Sequence, residues 1–127
     1  MSAIDLAAVL ATFTEPWAPR TVATLNDYDV RVAKALGGEF TRHSHPETDE
    51  LFLVLTGALT IRMDAGDVDL RPGDLYVVPR GVYHQPVSPD GAEVLLIEPT
   101  TTVNTGDTPS DFTRRPIVIP ASDAAQL

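Results

Sequence analysis

The chain has 127 residues, of which 43% are hydrophobic and 21% charged, the balance of one ordinary globular domain rather than of a disordered segment. Eighteen acidic residues against nine basic ones leave a net charge of −9, which repels a phosphate backbone or an anionic bilayer and argues against nucleic-acid and membrane partners. Cysteine is absent, so disulfides and thiolate metal sites are excluded and any metal must be held by nitrogen and oxygen.

The N-terminus MSAIDLAAVLATF has no basic flank and carries Asp5 inside its apolar stretch, a poor signal peptide, and no apolar run approaches the length of a membrane span. The expected location is the cytoplasm. Residues 2–13 read as a short helix, because Leu6, Leu10 and Phe13 recur at helical spacing and Ser2 with Asp5 has the spacing of a capping box. Pro16, Trp17 and Pro19 end it. Beyond them nine of the 11 prolines and all 8 glycines punctuate short β-prone runs, the pattern of a sandwich or barrel.

Those runs are 21–25, 29–36, 39–45, 50–55, 58–63, 67–70, 75–79, 83–87 and 93–99. Turn-forming pairs separate most of them, among them Gly37-Gly38, Pro72-Gly73 and the hairpin-type Asp90-Gly91. The IVI segment at 117–119, between two prolines, predicts one edge strand. Nothing resembles a repeat or an interdomain linker, so one domain over 1–127 is expected, with a barrel core of about 21–99 and a C-terminal tail of about 100–127.

Two runs, LFLVL and the LLI of EVLLI, are apolar at every residue instead of alternating, which predicts cover on both faces. The barrel interior is one cover. The other is either a second subunit, which predicts a homodimer, or the N-terminal helix or the tail.

The stretch TRHSHPETDELFLVLTG carries the chemistry. Residues two apart on a strand share a face, so His43 and His45 present both imidazoles to one side. Glu50 lies at odd spacing from His45 and can join them only if Pro46 to Asp49 turn the chain. The third histidine, His84, follows PRGVY. Taken singly, each of these residues also fits a surface or a satisfied core position.

Their spacing relative to glycine and proline resembles the two signature motifs of the cupin superfamily. The first motif is matched throughout by Gly37, His43, Ser44, His45, Glu50 and Gly57. The second is matched by Gly73, Pro79, Gly81 and His84, with Ser88 where the family has asparagine. The end LLIEPTTTVNTGD resembles short bacterial single-domain members.

The resemblance implies an all-β fold, a small jelly-roll barrel with a short N-terminal helix. It implies that His43, His45, Glu50 and His84 bind one divalent transition metal, iron, zinc, nickel or manganese, with coordination positions left open for a small organic ligand. The activity it implies is that of a metal-dependent enzyme, a dioxygenase or an isomerase or epimerase. The alternative is a binding or sensor protein that holds metal and ligand without turnover. No catalytic residue beyond the metal centre is assigned: strand alternation turns Arg42, Tyr83 and Gln85 outward, toward solvent or an interface, and Arg62 and Tyr76 receive no role.

Overall fold

A computed structural model describes residues 2–119. The expected tail beyond 119, including Pro120, lies outside the described residues. Helix α1 spans Leu6–Leu10, shorter than the expected 2–13. Asp5, not Ser2, is its cap: the Asp5 backbone is extended and its carboxylate accepts a hydrogen bond from the Ala8 N–H at 3.1 Å, so the helix cannot begin before it. Val9, Leu10 and Phe13 from this segment pack on Val22 and Val32 of the sheet beneath.

Ten strands follow among the described residues: β1 (Arg20–Leu25), β2 (Tyr28–Ala35), β3 (Gly38–Glu39), β4 (Glu50–Gly57) and β5 (Leu59–Arg62) in the first half. The second half holds β6 (Val68–Leu70), β7 (Leu75–Val78), β8 (Gln85–Ser88), β9 (Ala92–Pro99) and β10 (Ile117–Val118). They form a jelly roll of two sheets, one ordered β10-β1-β2-β9-β4-β7 and the other β3-β8-β5-β6. The expected edge strand near the end is β10, which pairs in parallel with β1.

The run 39–45, expected as one strand, is broken after Glu39 and resumes as a single bridge between His43 and His84. Proline explains the break. The Phe40 N–H donates to the Pro86 carbonyl, but Pro86 has no N–H to return the bond, and the Gln85 side-chain amide donates to the Phe40 carbonyl instead at 3.1 Å. The ladder loses its regularity just before the histidine pair.

Phe40, Phe52, Val54, Ile61, Val78 and Val94 fill the space between the sheets. The outer face is only partly covered. Leu55 joins the helix cluster, but Leu51, Leu53, Leu95 and Ile97 are half-buried and pair in rows with the exposed Leu75 and Val77. The doubly apolar runs are therefore closed by α1 at one end and open at the other. Gly57 must be glycine, since its φ of +77° is left-handed and a Cβ there would lie 2.2 Å from the Gly91 carbonyl oxygen. Ser88 donates its hydroxyl to the Ala58 carbonyl at 2.7 Å, so a hydrogen bond holds the turn after β4 although asparagine is absent.

Candidate metal centre

The two motifs meet through the backbone. His43 and His84 exchange N–H···O bonds of 3.0 and 2.8 Å, which places their side chains next to each other across the bridge. Pro46 and Glu47 form the turn that the odd spacing required, and the Asp49 carboxylate steadies it by accepting from the Arg80 N–H at 2.8 Å. Beyond the turn Glu50 opens β4 pointing inward. One donor atom from each of His43, His45, Glu50 and His84 lies within 4.8 Å of all the others, and all four residues are buried.

The contacts within the cluster suit a cation. The His43 Nδ1–H donates to the Thr41 carbonyl at 2.7 Å, which leaves the lone pair on Nε2, facing His45 Nε2 at 3.2 Å. The His84 Nδ1–H donates to the Val82 carbonyl at 3.0 Å while its Nε2 stands 3.2 Å from the Glu50 carboxylate. The Nε2 of His84 and the Glu50 carboxylate oxygen thus face each other, an arrangement that a cation between them satisfies. Donors about 2.1 Å from one ion stand about 3 Å apart at right angles, which matches the His43–His45, His45–Glu50 and His84–Glu50 contacts of 3.2, 3.1 and 3.2 Å. Three imidazoles and one carboxylate match such an ion without choosing among metals.

Burial, helped by the neighbouring His84, lowers the His43 pKa to about 4, so its imidazole is neutral and competent to ligate at neutral pH. For Glu50, burial pushes the carboxyl up, but hydrogen bonds from His45 and His84 outweigh it and hold the group below the usual carboxylate range.

A cavity of about 50 Å³ adjoins Glu50 and His43 and is walled mainly by apolar side chains, among them Trp17, Phe40, Phe52 and Leu96. Glu98 also borders it. Sequence reasoning missed Glu98, although its parity with the inward Val94 and Leu96 on β9 was the available signal. Its Oε1 accepts from Arg31 at 2.7 Å, while Oε2, as a carboxylate oxygen, meets no donor among the described residues. Burial first, then the charge of Glu50, raise the Glu98 pKa well above the usual value, and as a carboxylic acid its target is Glu50.

Arg31, at the same parity as the inward Ala33 and Ala35, is fully buried and uses all five N–H groups. Two reach Asp29, one Glu98, and the other two the carbonyls of Thr100 and Thr102. Those last bonds tie down the loop after β9, which crosses the histidine segment. Gly106 sits so close that a Cβ would be 2.1 Å from the Ser44 carbonyl oxygen, and Asp107 accepts from the Ser44 N–H at 3.0 Å.

The residues flanking the ligands are not merely solvated. Tyr83 donates its hydroxyl to Asp107, a bond that raises the Tyr83 pKa and lowers that of Asp107, and the Arg42 guanidinium lies 4.6 Å above the Tyr83 ring. Arg62 pairs with Glu39 on the surface, and Tyr76 packs against the core.

The family described as the cupin domain matches residues 30–103. An uncharacterised protein of Bacillus subtilis, YdbB, is 35% identical over 82 residues, 64% of this chain and 72% of that protein. A cupin-2 domain containing protein of Shewanella frigidimarina superposes with a TM-score of 0.74 at 36% identity, covering 76% of this chain and 94% of that one. A sugar phosphate isomerase of the cupin superfamily from Silicibacter pomeroyi gives a TM-score of 0.54 at 30% identity, over 62% of this chain and 54% of that one.

Proposed function

The chain belongs to the cupin family, and from that premise we propose that it is a metal-dependent enzyme of the isomerase or epimerase type, acting on a small organic molecule held inside the barrel. The observation that carries the reading is the convergence of four buried donors at the wall of a small, mostly apolar cavity. His43, His45, Glu50 and His84 are the ligands of the ion, with Nδ1 of His43 and of His84 held by backbone carbonyls so that Nε2 of each faces inward. Bound there, a divalent ion supplies a Lewis acid that polarises a carbonyl or hydroxyl oxygen.

The remaining steps belong to the chain. The apolar wall excludes water, and the Glu98 carboxyl, anchored by Arg31, supplies a group beside the cavity that can hold a proton. This proton-holding group and the likeness to a sugar phosphate isomerase favour proton transfer over oxygen chemistry. The half-buried Leu51 and Leu53, in rows with the exposed Leu75 and Val77, support a homodimer, and the cytoplasm is the proposed location.

Metal analysis of the purified protein should find one ion per chain, absent from the His43→Ala and His84→Ala variants; full retention in either variant would sink the ligand assignment. Turnover of a candidate hydroxycarbonyl substrate should be the same with and without oxygen. Dependence on oxygen, with its consumption, would replace the isomerase reading with a dioxygenase one.

A further inference from the structure

We propose that the loop between β9 and β10, residues 103–116, is a hinged lid over the barrel cavity, and that a ligand enters only when it lifts. The inference goes beyond the proposed reaction and rests on the reading of the barrel interior as a small-molecule site.

Every residue that lines the cavity is buried, Trp17, Phe40 and Asn104 included, so no open mouth leads into it. At about 10–15 Å³ for each water-sized group, a cavity of about 50 Å³ takes roughly three to five heavy atoms, so a larger ligand needs more room as well as a way in. Most of the wall is too well bonded to give way. Its strand residues are held in the sheet ladders, His43 sits in the bridge to His84, and the Trp17 and Phe40 N–H groups donate to the carbonyls of Lys34 and Pro86 at 2.7 and 2.9 Å. Asn104 alone comes from the loop between β9 and β10.

That loop is built to move as a unit. Its ends are pinned, one by Arg31 on the carbonyls of Thr100 and Thr102 and the other by the pairing of β10 with β1. Between the pins it bonds to itself. Asn104 donates to the Phe112 carbonyl at 2.9 Å and accepts from the Arg114 N–H at 3.0 Å, and the Thr105 and Thr113 hydroxyls meet at 2.6 Å. A surface loop closed on its own side chains lifts without unravelling. Asn104 then leaves the cavity wall with the loop, and its one bond to the barrel, to the Trp17 carbonyl, is long at 3.4 Å.

The seam between loop and barrel is mostly polar and open to solvent, where water can replace what is broken. Ser110 meets Thr41, Asp107 accepts from Tyr83, and Arg114 faces Glu15. The firmest attachment is Asp107, which donates its N–H to the Ser44 carbonyl and accepts from the Ser44 N–H, both at 3.0 Å. The apolar seal is the Phe112 ring, 38% exposed, which lies 5.7 Å from Phe40, itself 5.3 Å from Trp17. Lifting Phe112 uncovers Phe40 and, behind it, Trp17 at the cavity wall.

The test uses the full chain, which has no cysteine and a single tryptophan, Trp17. Thr41→Cys with Ser110→Cys puts two thiols where hydroxyls stand 2.7 Å apart, so oxidation should fasten the lid and reduction free it. Acrylamide, small and uncharged, is the probe: its quenching constant for Trp17 should fall at least threefold on oxidation and recover on reduction. In the wild-type protein, hydrogen exchange should find the Asp107 and Ser44 amides, whose bonds cross the seam, at least tenfold less protected than those of β2 and β9, a measurement that decides the matter if the disulfide does not form. Equal quenching in the oxidised and reduced forms, or seam amides as protected as the strands, overturns the proposal. Metal content of the same samples tests the metal-dependent reading separately. A protein that gates the quencher yet holds no metal refutes that reading and supports this one; a protein that holds metal without gating does the reverse.

Discussion

Replacing Arg31 with methionine tests the buried network that joins the ligand cavity to the loop above it. The guanidinium is 0% exposed and makes five hydrogen bonds, two of them to Asp29 and one to Glu98. Methionine fills a similar volume but leaves Asp29 with the Thr21 hydroxyl at 3.1 Å and strips Glu98 Oε1 of its donor. Breaking one side of a buried ion pair costs about 3–5 kcal/mol, a large part of the roughly 5–15 kcal/mol that holds a domain folded. The carbonyls of Thr100 and Thr102 add little, because their residues reach solvent and water can replace the lost bonds. Urea denaturation at constant m should show a loss of about 3–5 kcal/mol at pH 7. The deficit should shrink by pH 5, because protonation relieves the stranded Glu98 carboxylate, which burial already pushes up. Arg31→Lys, with three donors in place of a five-donor fork, should fall between the two and remains measurable if the methionine variant does not fold. A loss under about 1 kcal/mol for Arg31→Met, or a deficit equal at both pH values, would refute the reasoning.

Three further outcomes are expected. Gly106→Ala places a Cβ 2.1 Å from the Ser44 carbonyl oxygen and 3.0 Å from the His43 ring, so the loop must lift from the histidine segment; chelator competition should show metal affinity at least tenfold weaker, and unchanged affinity would count against the loop's positioning role. In the metal-free protein the His43 ring should titrate by NMR near pH 4 rather than near 6.5. Because its folded pKa lies below the unfolded value, His43 disfavours folding as pH falls from 6.5 to 4, by about 3 kcal/mol in all. Glu98, raised by burial and by Glu50, has the opposite sign over this window, since its contribution to stability declines as pH rises above about 4.5. The slope is therefore read in Glu98→Gln, and a stability flat across that range in this variant contradicts the assignment. Leu51→Lys with Leu53→Lys should convert a wild-type dimer, seen by sedimentation, to the 13.7 kDa monomer; a monomeric wild type would remove the dimer reading.

The positions of the strands and the four candidate ligands were legible in the sequence because both are local. Alternation, turn residues and the spacing of His43, His45, Glu50 and His84 from their glycines survive any choice of tertiary partner. Proline at 86 was visible too, but its effect on residues 39–45 was not, since the missing N–H matters only once β8 lies opposite Phe40. The early helix shrank for a local reason that was open to two readings: Ser2 and Asp5 are both capping residues, and the carboxylate that reached the Ala8 N–H decided between them. Glu98 and Arg31 carried the right parity, yet charged residues inside a strand read as solvent-facing until a partner is known, and their partnership spans 67 residues of chain. The chain by itself determined which groups could bind a cation. Only the packing of distant strands decided that a buried carboxyl would border their cavity beside Glu50, because burial and pairing are properties of what lies opposite in space and not of what lies next in sequence.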